Sequence, residues 1–156
     1  MCHNKIYMTW NKFNKDIDAF IQYLKENDYL KDSVILAIKR GGFPISTALS
    51  NKLDISVSTV SFQTRDGNDL EPIFLESDLI KQYSKIIIPD DIYDTGLTVE
   101  TIITKLIEDY DIEIGNIIGL FHYTSNAILN TKMKNYKSLG FNYGSWVVFP
   151  WEKRVY

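Results

Sequence analysis

Two continuous apolar runs punctuate the chain, one over residues 34–38 (VILAI) and one over residues 85–88 (KIII). The first ends at Gly41 and Gly42, and the second at acidic residues and Gly96. Short apolar runs closed by turn residues predict buried parallel strands. Each is followed by helical spacing: Ile45, Ala48, Leu49 and Leu53 after the first, and Val99, Ile102, Ile103 and Leu106 after the second. Upstream, Phe13, Ile17, Phe20, Ile21 and Leu24 recur every three or four positions, which predicts an amphipathic helix over residues 12–27 covering one sheet face. Residues 57–62 and 116–121 supply two further strands. Strand, tight loop and helix in repeated order predict an α/β fold, with a mostly parallel central sheet flanked by helices. Ligands in such sheets sit at the carboxyl ends of the strands. Residues 63–77 are polar and show no convincing period, which suggests a mobile functional loop able to act as a lid.

With 156 residues, the chain fits one domain, and 45% hydrophobic residues are enough for a real core. A net charge of -3 argues against the basic field that a nucleic-acid backbone requires, and favours a nucleotide-sized ligand. No apolar stretch approaches the roughly 18 residues of a membrane span, and no signal-peptide core is visible at the start. The single cysteine, Cys2, cannot form an internal disulfide, and no Cys/His metal spacing is present, so a reducing cytoplasm is the expected compartment.

The densest chemistry lies in residues 86–98, IIIPDDIYDTGLT. Gly96 permits a sharp turn, while Thr95, Gly96, Leu97 and Thr98 can turn amide and hydroxyl donors toward a phosphate at the start of the next helix. The helix dipole adds only about 0.3–1 kcal/mol at an exposed site, so several donors must converge on one dianion. Asp90 and Asp91 should point in opposite directions if the strand stays extended. Two carboxylates 4 Å apart repel by about 4 kcal/mol at an effective dielectric of 20, which calls for a cis-diol, a metal or a basic neighbour. A helix cap explains Asp94 or Thr95 but not six residues together. At about 5% per residue type, the pattern DDxxDTGxT arises by chance roughly once in 10⁷–10⁸ windows, which favours function. These residues resemble the phosphoribosyl pyrophosphate signature of the type I phosphoribosyltransferase family. The resemblance implies that Asp90 and Asp91 hold the ribose hydroxyls and that Asp94, Thr95, Gly96, Leu97 and Thr98 cradle the 5′-phosphate. It also places Asp94 near the purine N7 as a catalytic base or acid.

Lys39, Arg40, Gly41 and Gly42 follow the first strand and bring two cations and free amides to one loop. The segment is similar to the family's pyrophosphate loop, with Arg40 better suited than Lys39 to a forked contact and a candidate catalytic residue. Taken alone, it also fits an ordinary glycine turn with solvated cations. Residues 145–152, SWVVFPWE, resemble the purine-binding hood of the xanthine-guanine subgroup, as do residues 6–10 near the start, so the hood is expected over about 124–156 with the N-terminal segment. The resemblance implies that Trp146 stacks on the purine and that the backbone at Val147 reads its edge, while Trp151 fits core closure better.

One departure stands out. The family places a lysine at the end of the strand before the hood, where this chain has residues 119–124, GLFHYT. His122 or Tyr123 offers a replacement donor to the purine, or Lys132 or Lys134 reaches in from the next segment, although His122 fits a structural histidine equally well. The resemblance implies transfer from phosphoribosyl pyrophosphate to a 6-oxopurine, with Mg²⁺ held mainly by substrate and water and by Asp90 and Glu152. It also implies a homodimer or homotetramer. Two other readings remain: a non-catalytic phosphoribosyl pyrophosphate sensor that regulates a partner, and a phosphate-binding hydrolase, which lacks a water-activating constellation.

Overall fold

A computed structural model describes residues 4–65 and 69–152. The chain runs β1 (Lys5–Tyr7), α1 (Trp10–Glu26), β2 (Ser33–Ile38), α2 (Phe43–Leu53), β3 (Val57–Arg65), β4 (Asp69–Phe74), α3 (Ser77–Ile80), β5 (Lys85–Tyr93), α4 (Leu97–Tyr110), β6 (Ile117–Thr124), β7 (Asn135–Ser138) and β8 (Trp146–Val148), with 3-10 turns at Ile114–Asn116, Asn126–Asn130 and Pro150–Glu152. Six strands form one sheet in the order β4-β3-β2-β5-β6-β7. All neighbours are parallel except β3 and β4, which pair antiparallel. This is the α/β fold with a mostly parallel sheet that the periodicity predicts.

The central strands are apolar on both sides because both sheet faces are covered. Ile86 and Ile88 of β5 face α4, where Val99, Ile102, Ile103 and Leu106 close one core. Ile87, one residue between them, faces the other way with Ile35 and Ile118, under Phe13, Ile17, Phe20 and Leu24 of α1 and Ile45 and Leu49 of α2. The period-two pleat thus sorts consecutive isoleucines of one strand into two cores. Helix α1 begins at Trp10, two residues before the periodicity suggests, because the Thr9 hydroxyl caps it by accepting from the Lys12 amide at 3.1 Å.

Three strand boundaries differ from the sequence expectation, one of them the end of β6, which runs to Thr124 and not to residue 121. The segment 63–77 is not a long loop: β3 continues to Arg65, β4 returns beside it in register from Arg65↔Asp69 to Val60↔Phe74, and α3 follows. Ladder hydrogen bonds stabilise this hairpin without an apolar alternation for the sequence to display, and Pro72 is tolerated because β4 is the sheet edge. Residues 66–68, including Asp66, Gly67 and Asn68 of the expected lid, lie outside the described residues. Strand β5 also runs past Ile88 through Pro89, Asp90 and Asp91 to Tyr93, carrying both carboxylates within the ladder opposite β6.

A small second sheet joins the two ends of the chain. Strands β1 and β8 pair in parallel, with Lys5↔Trp146 and Tyr7↔Val148 as register partners, and the Met8 amide donates to the Val148 carbonyl at 2.9 Å. Among the described residues, no helix is long and apolar enough to cross a membrane.

The packing predicts unequal sensitivity to truncation. Ile87 is fully buried in the central strand whereas Leu129 is 79% exposed. Ile87→Ala is expected to lower unfolding free energy by about 2–5 kcal/mol, and Leu129→Ala to change it by under about 0.5 kcal/mol, in urea titrations with an unchanged slope.

Candidate active site

Parallel strands β2 and β5 are neighbours, so the loops leaving their carboxyl ends meet above the sheet. A cavity of about 320 Å³ opens there, walled by Lys39 and Gly41 of the first loop, Asp90 and Asp91 of β5, and Asp94, Thr95, Gly96 and Thr98 of the second. A second cavity of about 650 Å³ adjoins it, walled by Arg40, Gly41, Asp91, Trp151 and Glu152. Gly41 and Asp91 belong to both walls.

The first loop depends on glycine at position 41 for close approach. A Cβ there would stand 2.6 Å from Asp91 Oδ2, so any side chain would displace the carboxylate. The loop is anchored by the Lys39 amide on the Val60 carbonyl at 3.0 Å and the Gly42 amide on the Ile38 carbonyl at 3.0 Å. The Lys39–Arg40 peptide bond is cis. Both cationic side chains are exposed at the cavity mouths.

Asp90 is buried, and Asp91 is partly exposed. Burial raises the Asp90 carboxyl well above the usual carboxylate range, and the neighbouring Asp91 charge raises it further; a backbone hydrogen bond from the Asp91 amide to Asp90 Oδ1 at 2.9 Å acts in the opposite direction. Asp91 Oδ1 accepts from the Ile92 amide at 2.7 Å. These local contacts fix both carboxylates yet supply no cation, so the site retains unpaired acceptor capacity for a ligand rich in hydroxyls or a metal.

The second loop turns at Gly96, whose φ of 86° lies in the left-handed region that glycine adopts without cost. A side chain there would also strike the Tyr93 ring. The Tyr93 hydroxyl donates to Glu100 Oε1 at 2.7 Å; Glu100 also accepts from the Thr131 hydroxyl and, at 3.2 Å, from the Lys132 amide. Its carboxylate and its burial push the Tyr93 hydroxyl up to about 12, with burial the larger cause. This bracing holds the loop from behind, while Asp94 and Thr95 remain exposed, Leu97 is 60% exposed and Thr98 is half-buried at the mouth. Ser125 secures the other side, donating its hydroxyl to the Asp94 carbonyl and its amide to the Tyr93 carbonyl at 2.9 Å.

The residues suggested for the base are placed differently from one another. His122 is fully buried with Nδ1 2.6 Å from Asp16 Oδ2, among the rings of Phe13, Phe20, Phe149 and Trp151. Asp16 is also paired with Lys12 at 2.9 Å, and the Lys12 ammonium lies 5.3 Å over the Tyr123 ring. Tyr123 is buried against Phe149, and its hydroxyl is pushed up, chiefly by burial and then by Asp16. Trp146 is 64% exposed on β8, and Val147 beside it is buried. Lys132 turns toward α4, with Nζ on the Thr104 hydroxyl at 2.9 Å, and Lys134 is exposed. Trp151 stacks on Phe149 at 4.9 Å while also forming a cavity wall, and Glu152 Oε2 accepts from the Phe149 amide at 2.9 Å.

The pattern of residues signals Glu100 only as an acid in the first turn of α4 and gives no sign that it braces other residues. Ser125 depends on a contact 31 residues away in sequence and carries no local signature.

Comparison with known proteins is consistent across nearly the whole length. The model of the phosphoribosyl transferase domain matches residues 3–156. The purine phosphoribosyltransferase of Pyrococcus horikoshii is similar in structure, with a TM-score of 0.70, 25% identity and 97% of each chain covered. The xanthine-guanine-hypoxanthine phosphoribosyltransferase of Helicobacter pylori superposes with a TM-score of 0.72 at 16% identity, over 96% of this chain and 94% of that one. The orotate phosphoribosyltransferase of Aeropyrum pernix, with a TM-score of 0.56 and 18% identity over 83% of this chain and 71% of that one, shares the fold as well. With its DDxxDTGxT loop at the end of the central strand and the family match across residues 3–156, the chain belongs to the type I phosphoribosyltransferases, which are pentosyltransferase enzymes.

Proposed function

We propose that the protein transfers the 5-phosphoribosyl group of phosphoribosyl pyrophosphate to a 6-oxopurine, guanine, xanthine or hypoxanthine, and releases pyrophosphate. The observation that carries this reading is the convergence of two anion-ready loops on a carboxylate pair at the ends of adjacent strands β2 and β5. Amides and hydroxyls of Thr95, Gly96, Leu97 and Thr98 bind the 5′-phosphate at the start of α4, where the helix dipole adds to them. Asp90 and Asp91 accept from the two ribose hydroxyls, which compensates the repulsion between them. Lys39 and Arg40 bind the pyrophosphate, with the Gly41 and Gly42 amides beside them.

The C1′–oxygen bond breaks with its electron pair leaving on pyrophosphate, and a purine nitrogen supplies the pair for the new C1′–nitrogen bond. Asp94, exposed at the wall of the cavity between the two loops, takes the proton that the base loses or steadies it at N7. Arg40 stabilises the charge gathering on the leaving group.

A divalent cation fits this donor set. Among the described residues, no three His, Cys, Asp or Glu side chains gather into a cage. Asp90, and Glu152 in the adjoining cavity, supply hard oxygens, so Mg²⁺ would take most of its ligands from substrate and water. When bound, it neutralises charge on the departing pyrophosphate. For the base, the exposed Trp146 ring supplies a stacking surface and the Val147 backbone an edge contact, whereas His122 and Tyr123 are buried; stacking of this kind contributes about 1–3 kcal/mol.

Pyrophosphate release in the presence of Mg²⁺, phosphoribosyl pyrophosphate and each of guanine, xanthine, hypoxanthine and adenine, with products identified by mass, is expected to show turnover with a 6-oxopurine. Binding of phosphoribosyl pyrophosphate without turnover on any base would favour a regulatory sensor instead. Asp94→Asn is expected to lower kcat about 10²–10⁴-fold with little change in phosphoribosyl pyrophosphate affinity, the range for loss of a positioned acid or base. Trp146→Ala is expected to raise the KM for the base about 5- to 100-fold at nearly unchanged kcat. Steady-state kinetics on both substrates separate the two effects.

A further inference from the structure

Glu100, in the first turn of α4, stands on the wall of neither cavity, yet it ties together the pieces from which the Gly96 turn is built. Its backbone amide donates to the Gly96 carbonyl at 2.8 Å, and its Oε1 accepts from the Tyr93 hydroxyl at 2.7 Å. The Tyr93 ring fills the space beside Gly96 so closely that any side chain at 96 would strike it. Gly96 is thus held between that ring and the start of α4, and Glu100 is bonded to both.

The same carboxylate reaches the chain after β6. It accepts from the Thr131 hydroxyl and from the Lys132 amide, which lies 3.3 and 3.2 Å from its two oxygens. The Thr131 oxygen itself accepts from the Met133 amide at 3.2 Å, which leaves its proton for Glu100. At the other end of this segment Ser125 donates its amide to the Tyr93 carbonyl at 2.9 Å. Tyr93 is therefore gripped at its carbonyl by residue 125 and, through Glu100, at its hydroxyl by residues 131 and 132. The charge of this hub is informative. A carboxylate in the first turn of α4 competes with a dianion for the same helix N-terminus and repels it, so electrostatics alone makes Glu100 unfavourable to phosphate binding. What favours it there is the geometry that its hydrogen bonds impose.

We propose that Glu100 is a positioning residue for the phosphoribosyl group: through Tyr93 it holds the turn of residues 95–98 at the spacing that one phosphate dianion requires. This rests on the reading that places the 5′-phosphate on that turn, and adds to it a residue outside the cavity. Donors converging on one anion lose much of their effect when displaced by a fraction of an ångström, so a brace behind the turn acts on affinity without touching the ligand.

The test is calorimetric titration with phosphoribosyl pyrophosphate, and separately with pyrophosphate, both with Mg²⁺, on wild type, Glu100→Ala, Glu100→Gln and Tyr93→Phe. Kd for phosphoribosyl pyrophosphate is expected to rise about tenfold in Glu100→Ala and in Tyr93→Phe, the size of one hydrogen bond, while Kd for pyrophosphate stays within about twofold. Tyr93→Phe keeps the ring on Phe121 and supplies the readout if the alanine variant does not fold. Glu100→Gln retains an acceptor for the tyrosine and is expected to stay within about threefold of wild type. The double variant Glu100→Ala with Tyr93→Phe is expected to bind no more weakly than the weaker single variant, because both break one link. Tighter binding in Glu100→Gln and Glu100→Ala would show charge repulsion to be the larger effect, and equal loss of both ligands a general loss of structure; either result overturns the proposal, as does an unchanged Kd in Tyr93→Phe. A wild type that binds no phosphoribosyl pyrophosphate refutes the proposed function and this inference with it, whereas failure confined to the variants leaves the proposed function standing.

Discussion

Two carboxylates next to each other in sequence, carried on a strand buried between two helical layers, are the constraint around which the site is arranged. Asp90 cannot be moved to solvent, because β5 runs on past it to Tyr93 in register with β6. It is buried and disfavours its charge, with Asp91 adding to that cost. Against this cost the Asp91 amide donates to Asp90 Oδ1, and among the described residues no cation pairs with Asp90. A ligand with two hydroxyls relieves it. Under the proposed reading, a ribose binds for the same reason that the unliganded site is unfavourable, a common association of function with local cost.

The surrounding structure holds that pair in place and little else. Position 41 needs glycine because a Cβ there would stand 2.6 Å from the Asp91 carboxylate, which couples the loop after β2 to β5. Tyr93 and Glu100 brace the phosphate-side turn from below, and Ser125 clamps the Asp94 carbonyl from the next strand. The cavity between the two loops is therefore braced on three sides. The backbone after β6 is irregular, with Tyr143 and Gly144 in the left-handed region, and under the proposed reading the base is recognised on this side, where small changes leave the sheet undisturbed. Structural neighbours acting on purines and on orotate share the fold, as expected if the base is chosen by this irregular half.

Much of this was legible in the sequence, for definite reasons. The isoleucine run of β5 and the apolar run of β2 are buried on both faces and have no polar interruptions, so they announce themselves. The acid-rich loop after β5 reads directly because all its chemistry sits within nine consecutive residues. The hairpin of β3 and β4 did not, since its arms are stabilised by backbone pairing at a sheet edge with no apolar alternation to signal it. The pairing of β1 with β8 was equally silent, as it joins three-residue strands from opposite ends of the chain. His122 illustrates a different limit: residue type left a base contact and a structural role equally open, and the structure shows the second, with Nδ1 on Asp16, 106 positions earlier, inside an aromatic core.

The electrostatic claim is tested most directly by following the Asp90 carboxyl resonance by NMR through a pH titration, in the free protein and with Mg²⁺ and phosphoribosyl pyrophosphate bound. In the free protein its midpoint is expected well above that of an ordinary aspartate, since burial and Asp91 both favour the protonated form. Its ionisation then lowers stability as pH rises from the unfolded-state value toward the folded one, and ligand binding moves the midpoint down by supplying hydroxyl donors and positive charge. An ordinary midpoint in the free protein, or one that the ligand leaves in place, would contradict the account.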